Sequence, residues 1–362
     1  MEEYFLAALQ RASGLGSVQL QRLMQVFPGG KEIWQAPAAE IASLGVLPAS
    51  SLASLDALRR ERPDYPEQLA ESCRKKGIRV CSIRSEDYPR SLKEIFDPPI
   101  AFFYRGTLPE DGAVCLGMVG SRHFSRYGEQ VALDFAQKLA EAGIVIVSGA
   151  ARGIDTCAHL GALKAGRTIA VLGCGVDVAY PSENRSLLQK IAEAGAVISE
   201  YEPDTPPLPA FFPARNRIIS GLSRGVVVIE AARRSGSLIT AELALNEGRD
   251  VFAVPGSIFS DTSRGCHALI QQGAKLVTEA SDILSEYGRL RGRKTRKMPE
   301  LSREEAAVYH VLSYEHPLSI DEIIFSLKDG ADASSVSFLL LQMQLKGMVV
   351  EKSHAYLRAE RE

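Results

Sequence analysis

Apolar and polar positions change their spacing along the chain. Over residues 1–60 short amphipathic stretches are joined by glycine turns. In LGSVQLQRLMQVFPGG, Leu15, Val18, Leu23, Val26 and Phe27 recur at roughly helical spacing. AAEIASLGV and LASLDALRRE read as further short helices, and RPDYPEQ interrupts the pattern. From about residue 66 apolar runs of strand length take over. GIRVCSI and PIAFFYRG are predicted strands around DYPRSLKEIFDPP. Strand and helix then alternate. AVCLGMVG, IVIVSG, TIAVLG, AVISEY, GVVVIEA and DVFAVPG are strands. YGEQVALDFAQKLAEAG, IDTCAHLGALKAG, ENRSLLQKIAEAG and LITAELALNEG are the helices between them, and GCHALIQQG and KLVTEA close the series. Continuous apolar strands separated by amphipathic helices predict a parallel sheet covered on both faces, the doubly wound α/β fold.

The pattern divides the chain. Residues 1–65 form a small helical domain, whose glycine turns suit either a packing bundle or a helix-hairpin-helix module gripping a nucleic-acid backbone. Residues 66–287 form the α/β domain. Residues 288–300, GRLRGRKTRKMPE, carry six basic residues and one acid without apolar periodicity, as a solvated linker does. Residues 301–362 read as three helices and a hairpin, the order of a winged helix.

Composition narrows the classes. The 362 residues are 46% hydrophobic and carry a net charge of −2, which suits a soluble globular protein and disfavours indiscriminate binding to polyanions. No apolar run is long enough to span a membrane, and MEEYFLAALQ starts acidic, unlike a secretion signal. The six cysteines form no C-x-x-C pair, so reduced, mostly buried thiols are expected and a zinc site is not.

Ligands of a doubly wound sheet bind beyond the carboxyl ends of its strands. There GSRHFSRYG offers Gly120, Ser121, Arg122 and Arg126, and SGAARGID offers Ser148, Gly149 and Arg152. IEAARRSGSLITA offers Ser235, Gly236 and Ser237 at a helix start. Glycines and serines at helix starts present free N–H groups to anions, and arginines add bidentate phosphate grips. FFPARNRIISGLSRG, residues 211–225, brings Phe212, Arg215, Asn216 and Arg217 to the same end without one carboxylate. Core packing and base stacking are both open for Phe212. Any one of these loops alone is an ordinary tight turn; together they predict a rim for several phosphates. No Walker loop, G-x-G-x-x-G or H-E-x-x-H is present. Asp155, Asp177, Glu200 and Glu230 lie near the rim, where capping a helix or pairing with an arginine is the commoner role for an acid. The rim is equipped to hold anions more than to transform them.

VGSRHFSRYG, SGAARGIDTCAH, AVLGCGVDVAYPSEN, ISEYEP, FPARNRIISGLS and EAARRSGSLITAELALNEGRDVFAVPG together resemble the DNA-processing protein A family (DprA, also called Smf). The resemblance covers nearly all of residues 85–280. It implies an extended Rossmann-like domain, flanked by a small helical domain of the SAM or helix-hairpin-helix kind and a winged helix. It implies a cytoplasmic bacterial homodimer that binds single-stranded DNA, needs no cofactor, is not an enzyme, protects incoming strands in natural transformation and helps load the RecA recombinase. Carried over, Gly120-Ser121-Arg122 and Ser235-Gly236-Ser237 would hold phosphates, Phe212 would stack on a base, and Arg215, Asn216 and Arg217 would line the strand. His267, Ile270 and Leu276 would lie at the dimer surface, with ordinary sheet-edge packing as the alternative. Asp204 departs from the family pattern, standing where a glycine is usual. The competing expectation is a nucleoside monophosphate hydrolase, in which SGSLITAE would be the nucleotide loop and Glu242 the base. The third helix of the C-terminal module, ADASSVSFLLLQMQLKG, is poor in basic side chains, so protein contact is expected of it more than duplex reading.

Overall fold

The apolar runs pair into one sheet because each is bounded by residues that must turn, while its own side chains find cover above and below. A computed structural model describes residues 1–287, 301–313, 317–327, 332–346, 348–352 and 355–358. The basic stretch 288–300 lies outside the described residues. The chain separates into two compact units, Met1–Gly292 and Arg293–Glu362.

The first unit begins with α1 (Glu2–Leu9), α2 (Ser17–Val26), α3 (Gly30–Gln35), α4 (Ala38–Ser43), α5 (Ala49–Glu61) and α6 (Tyr65–Lys75). It continues through β1 (Arg79–Ser82), α7 (Arg90–Lys93) and β2 (Ala101–Gly106). The alternating region follows: β3 (Cys115–Val119), α8 (Arg126–Glu141), β4 (Val145–Ser148), α9 (Ile154–Ala162), β5 (Thr168–Leu172), α10 (Arg185–Ala194) and β6 (Ala196–Ser199). Then come α11 (Phe211–Leu222), β7 (Gly225–Val228), α12 (Gly236–Asn246), β8 (Asp250–Ala253), α13 (Arg264–Gln271), β9 (Lys275–Leu276) and α14 (Ala280–Tyr287).

The nine strands pair in the order β1-β2-β6-β5-β4-β3-β7-β8-β9. From β6 to β9 every pair is parallel; β1 and β2 add an antiparallel edge, so the sheet is mixed and predominantly parallel. The order runs outward from β3 to β6 on one side and from β7 to β9 on the other. The direction therefore switches between β3 and β7, which opens a crevice at their carboxyl ends. β3, β4, β5, β6 and β7 are buried throughout. The N-terminal helices share a core with this sheet: Phe5, Leu6 and Leu9 belong to the same buried cluster as Phe102, Phe103 and Val171. Gln10 fastens the two, its side-chain amide donating to Ala101 O (3.1 Å) and accepting from Ala101 N (3.0 Å). All six cysteines are buried and free.

One helix escaped the sequence pattern. Residues 211–222 carry Pro213 in the first turn of α11, where N–H groups have no intrahelical acceptor and proline is tolerated. A proline beside an arginine cluster reads as a loop, yet Ile218, Ile219 and Leu222 are buried at helical spacing.

The second unit holds α15 (Arg303–Val311), α16 (Ile320–Ser326), α17 (Ala333–Leu345) and an antiparallel pair, β10 (Val349–Lys352) with β11 (Ala355–Arg358). Val308, Ile323, Val336, Leu340 and Met343 form its core. Capping boxes at Ser302 with Glu305 and at Ser319 with Glu322 start α15 and α16.

His159 on α9 is fully buried, with Nδ1 2.7 Å from Thr168 Oγ1. That hydroxyl donates to Ile146 O, so Nδ1–H donates to it in turn, while Nε2 has no partner. Burial, reinforced by the Arg215 charge, pushes the imidazole pKa down to about 3. The unfolded imidazole takes its proton near 6.5, so between these values the unfolded chain binds more protons. The contribution is fully present above pH 6.5 and is lost as pH falls toward 3. Chemical denaturation at pH 7 and pH 4.5 should therefore show wild type losing stability relative to His159→Gln, by about 1.4 kcal/mol per pH unit below 6.5. Parallel losses in the two proteins would disprove a neutral buried imidazole.

Candidate functional site

A cleft of about 620 Å³ opens at the switch between β3 and β7. It brings together Gly120, Ser121, Arg122, Phe212, Arg215, Asn216, Ser235, Gly236 and Ser237, as the sequence pattern predicts for one sheet end. It also takes in Arg234, Tyr180 and Asp155.

Each wall has a local cause. After β3 the chain turns tightly: a Cβ on Gly120 would lie 2.7 Å from Ile154 Cγ1. Ser121 N donates to Glu230 O (2.7 Å) and its hydroxyl to His123 O (2.5 Å), so this serine is committed to the turn. The turn's free donor is Arg122, exposed and 5.7 Å from the Phe212 ring. The opposite wall is the start of α12. Ser235 Oγ caps it by accepting from Ser237 N and pairs with the Ser237 hydroxyl at 2.7 Å, and Gly236 is exposed beside them. Phe212 is half-buried, 5.4 Å from Tyr180, while Phe211 stacks on Tyr201 at 4.0 Å. The Phe212 ring thus stands in the cleft instead of filling the core.

The arginines predicted to line a strand divide. Arg215 is buried: one guanidinium nitrogen donates to Gly149 O (2.7 Å) and Val171 O, and Nε donates to Asn216 Oδ1 (3.3 Å). Burial lowers its pKa, with Asp155 opposing. Asp155, buried beside it, is raised by desolvation against the pull of Arg215 and the Ala151 amide. Arg217 points elsewhere, held by Glu200 (2.7 Å) and Asp97 (2.9 Å). Burial works against its charge, but the two carboxylates outweigh it and raise its pKa. The acceptors facing these two arginines are the protein's own: neutral oxygens for Arg215 and carboxylates for Arg217. Arg215 thus reaches the cleft lining with its donors already committed, whereas Arg217 is not part of that lining, because positions two apart on a helix point about 200° apart.

The second loop is also less open than its sequence suggests. Ser148 is fully buried, its hydroxyl donating to Met118 O (2.6 Å), and Gly149 is buried with its carbonyl on Arg215. Neither lies on the rim. Arg152 is exposed and paired with Glu183. Arg126, exposed at the start of α8, has no ion-pair partner among the described residues. Arg234 is the residue the sequence analysis missed; the signal was the arginine doublet immediately before the Ser235-Gly236-Ser237 turn. Glu230 caps the α8 loop through Ser125 N (2.9 Å) and Oγ (2.6 Å), and Asp177 holds Lys76 (2.6 Å). Glu242 is exposed on α12 and is not part of the cleft lining. Toward the β9 edge, His267 Nε2 lies 3.0 Å from Gly256 O, Ile270 packs on the core and Leu276 is 46% exposed.

A model of the family described as DNA recombination-mediator protein A matches residues 79–288. The chain belongs to this family. DNA processing protein DprA of Streptococcus pneumoniae is 53% identical over 207 residues, 57% of this chain and 73% of that one. Protein Smf of Escherichia coli is 40% identical over 293 residues, 76% of each chain. The X-ray structure of the S. pneumoniae protein superposes with a TM-score of 0.69 at 40% identity, covering 79% of this chain and 98% of that one. A structure of DNA processing protein A from Helicobacter pylori, described for its single-stranded DNA binding mode, gives 0.52 at 30% identity over 58% of this chain and 95% of that one. Within this DprA frame the departure at Asp204 has a physical account. Its φ of 65° is the left-handed conformation that favours glycine and that aspartate tolerates. Its carboxylate then joins Asp177 on Lys76, at 2.5 and 2.6 Å.

Arg215→Ala would strand two buried carbonyls and leave Asp155 without its neighbouring cation. Denaturant titration should show a loss of about 3 kcal/mol, against less than about 0.5 for the exposed Arg122→Ala. Equal effects would contradict the division between them.

Proposed function

We propose that the cleft holds single-stranded DNA without transforming it, gripping phosphates with Arg122, Arg126, Arg234 and the open start of α12 and stacking a base on Phe212. The observation that carries this is the pairing of charge at the rim. Among the described residues Arg122 and Arg234 have no ion-pair partner and line the cleft with a half-buried aromatic ring, and the one carboxylate in that lining, Asp155, is buried. The H. pylori relative, described for its single-stranded DNA binding mode, supports it. Arg215 and Arg217 act here as positioning residues. A general base needs an open acceptor facing the substrate; Glu230, Asp177 and Glu200 instead accept hydrogen bonds from Ser125, Lys76 and Arg217, and Asp155 is buried and accepts from the Ala151 amide. The chain would act in DNA uptake and recombination, as a cytoplasmic homodimer joined near His267, Ile270 and Leu276, and would pass its strand to RecA.

The second unit, as a winged helix, would serve protein contact. The outer side of α17 carries Ser334, Ser337, Phe338 and Leu341, all exposed, and Lys346 is engaged by Glu305 at 2.6 Å. A reading helix needs free basic or amide groups there. A chain ending at residue 300 should keep the duplex affinity of the full chain within about twofold, whereas a salt-sensitive loss would assign duplex binding to this unit.

Binding of labelled oligothymidine, with duplex as competitor, tests the main proposal. Single strands should win. Arg122→Ala and Arg234→Ala should each reduce the log–log salt slope by about 0.7, and Phe212→Ala should cost about 1–3 kcal/mol. Unchanged slopes, or base release from nucleoside monophosphates at catalytic rates, would favour the hydrolase.

A further inference from the structure

The loop between β8 and α13 carries two apolar side chains that packing does not use: Ile258 is 73% exposed and Phe259 90%. The loop is nonetheless held in place. Pro255 O accepts from Tyr127 Oη (2.8 Å), Gly256 O contacts His267 Nε2 (3.0 Å), and Thr262 Oγ1 donates to Glu230 (3.2 Å). Glu230 is the same buried carboxylate that caps α8 through Ser125. The loops after β3 and β8 are therefore fastened to each other at the carboxyl end of the sheet. The first of them starts in the cleft with Arg122, continues through Phe124 (39% exposed) and Arg126, and ends on Tyr127 (47% exposed). Only β7 separates β3 from β8 in the sheet, so the two strands are about two strand spacings, roughly 10 Å, apart.

We propose that Phe259, backed by Ile258, is a second base-stacking station. A strand seated in the cleft would cross Arg126 and lay a further base on Phe259. The inference rests on the proposed function and extends it to the number of nucleotides held. Continuity argues for this occupant: the half-buried Phe212 ring, the exposed rings of Phe124 and Phe259, and Arg122 and Arg126, which have no ion-pair partner among the described residues, all lie at this end of the sheet. A ring on a loop already pinned by hydrogen bonds also loses little freedom on stacking. The competing occupant is a second copy of this chain, because His267 touches the same loop.

The test uses the full chain and oligothymidines of increasing length. Phe212→Ala should weaken binding at every length. Phe259→Ala should equal wild type on the shortest oligonucleotide that binds and then lose roughly tenfold of the gain that wild type shows on lengthening. Phe259→Trp adds a second readout, since the sole native tryptophan, Trp34, is buried. Its fluorescence should be quenched by long oligonucleotides and not by the shortest. Phe259→Ala matching wild type at all lengths, with Phe259→Trp unquenched, would overturn the proposal while leaving the cleft intact. So would Phe259→Ala converting a dimer to monomers in light scattering with unchanged affinity per protomer. Wild-type binding unaffected by both Phe212→Ala and Arg122→Ala would instead overturn the cleft itself.

Discussion

A buried guanidinium holds the carboxyl end of the sheet together. Taking an ion out of water costs several kcal/mol unless its donors are used. Arg215 uses them on Gly149 O after β4 and Val171 O in β5, with Asp155 nearby to offset its charge. The surroundings follow from that commitment. Gly149 has no room for a side chain, because a Cβ would lie 2.5 Å from Arg215 Nη2 and 2.7 Å from Asp155 Oδ2. α11 has to cross the ends of β4 and β5. Phe212, one turn earlier on the same helical face, is thereby carried into the cleft, and Gly173 stays bare beneath it, 3.0 Å from the ring at its would-be Cβ. Lysine would supply the charge there but not the planar fork.

A good part of this was legible in the sequence. The strands and crossover helices from Cys115 onward announce themselves because buried parallel strands are uniformly apolar and their helices keep a clean stripe. The convergence of loops at one sheet end then follows from topology, and it correctly gathered Gly120, Arg122, Phe212, Asn216 and the Ser235 turn. The antiparallel pairing of β1 and β2 was not legible, since strand direction leaves no mark on composition.

The partners of individual cations were not legible. Arg215 and Arg217 look equivalent in ARNR until the segment is known to be a helix, and Pro213 disguised it. Once α11 is drawn, one arginine faces the sheet and the other faces Glu200 and Asp97, residues that lie 17 and 120 positions away. No local pattern reveals such partners. Ser148 illustrates the same limit: a serine ending a strand can face solvent or a neighbouring carbonyl, and here Met118 O claims it.

Charge economy explains how a chain of net charge −2 presents a cationic site. Lys76, Arg152 and Arg217 all carry carboxylates of their own, so their fields are largely cancelled a few ångströms away. Arg122, Arg126 and Arg234 stand without ion-pair partners among the described residues, all at the carboxyl end of the sheet. The start of α12 adds its partial positive charge at the same end. A polyanion therefore meets several arginines at the rim whose charge no carboxylate among the described residues cancels. At the same rim the Phe212 ring can add contact that depends on exposed bases. Stacked duplex bases would not be available to that ring, so on the proposed reading the same geometry would favour a single strand over a duplex.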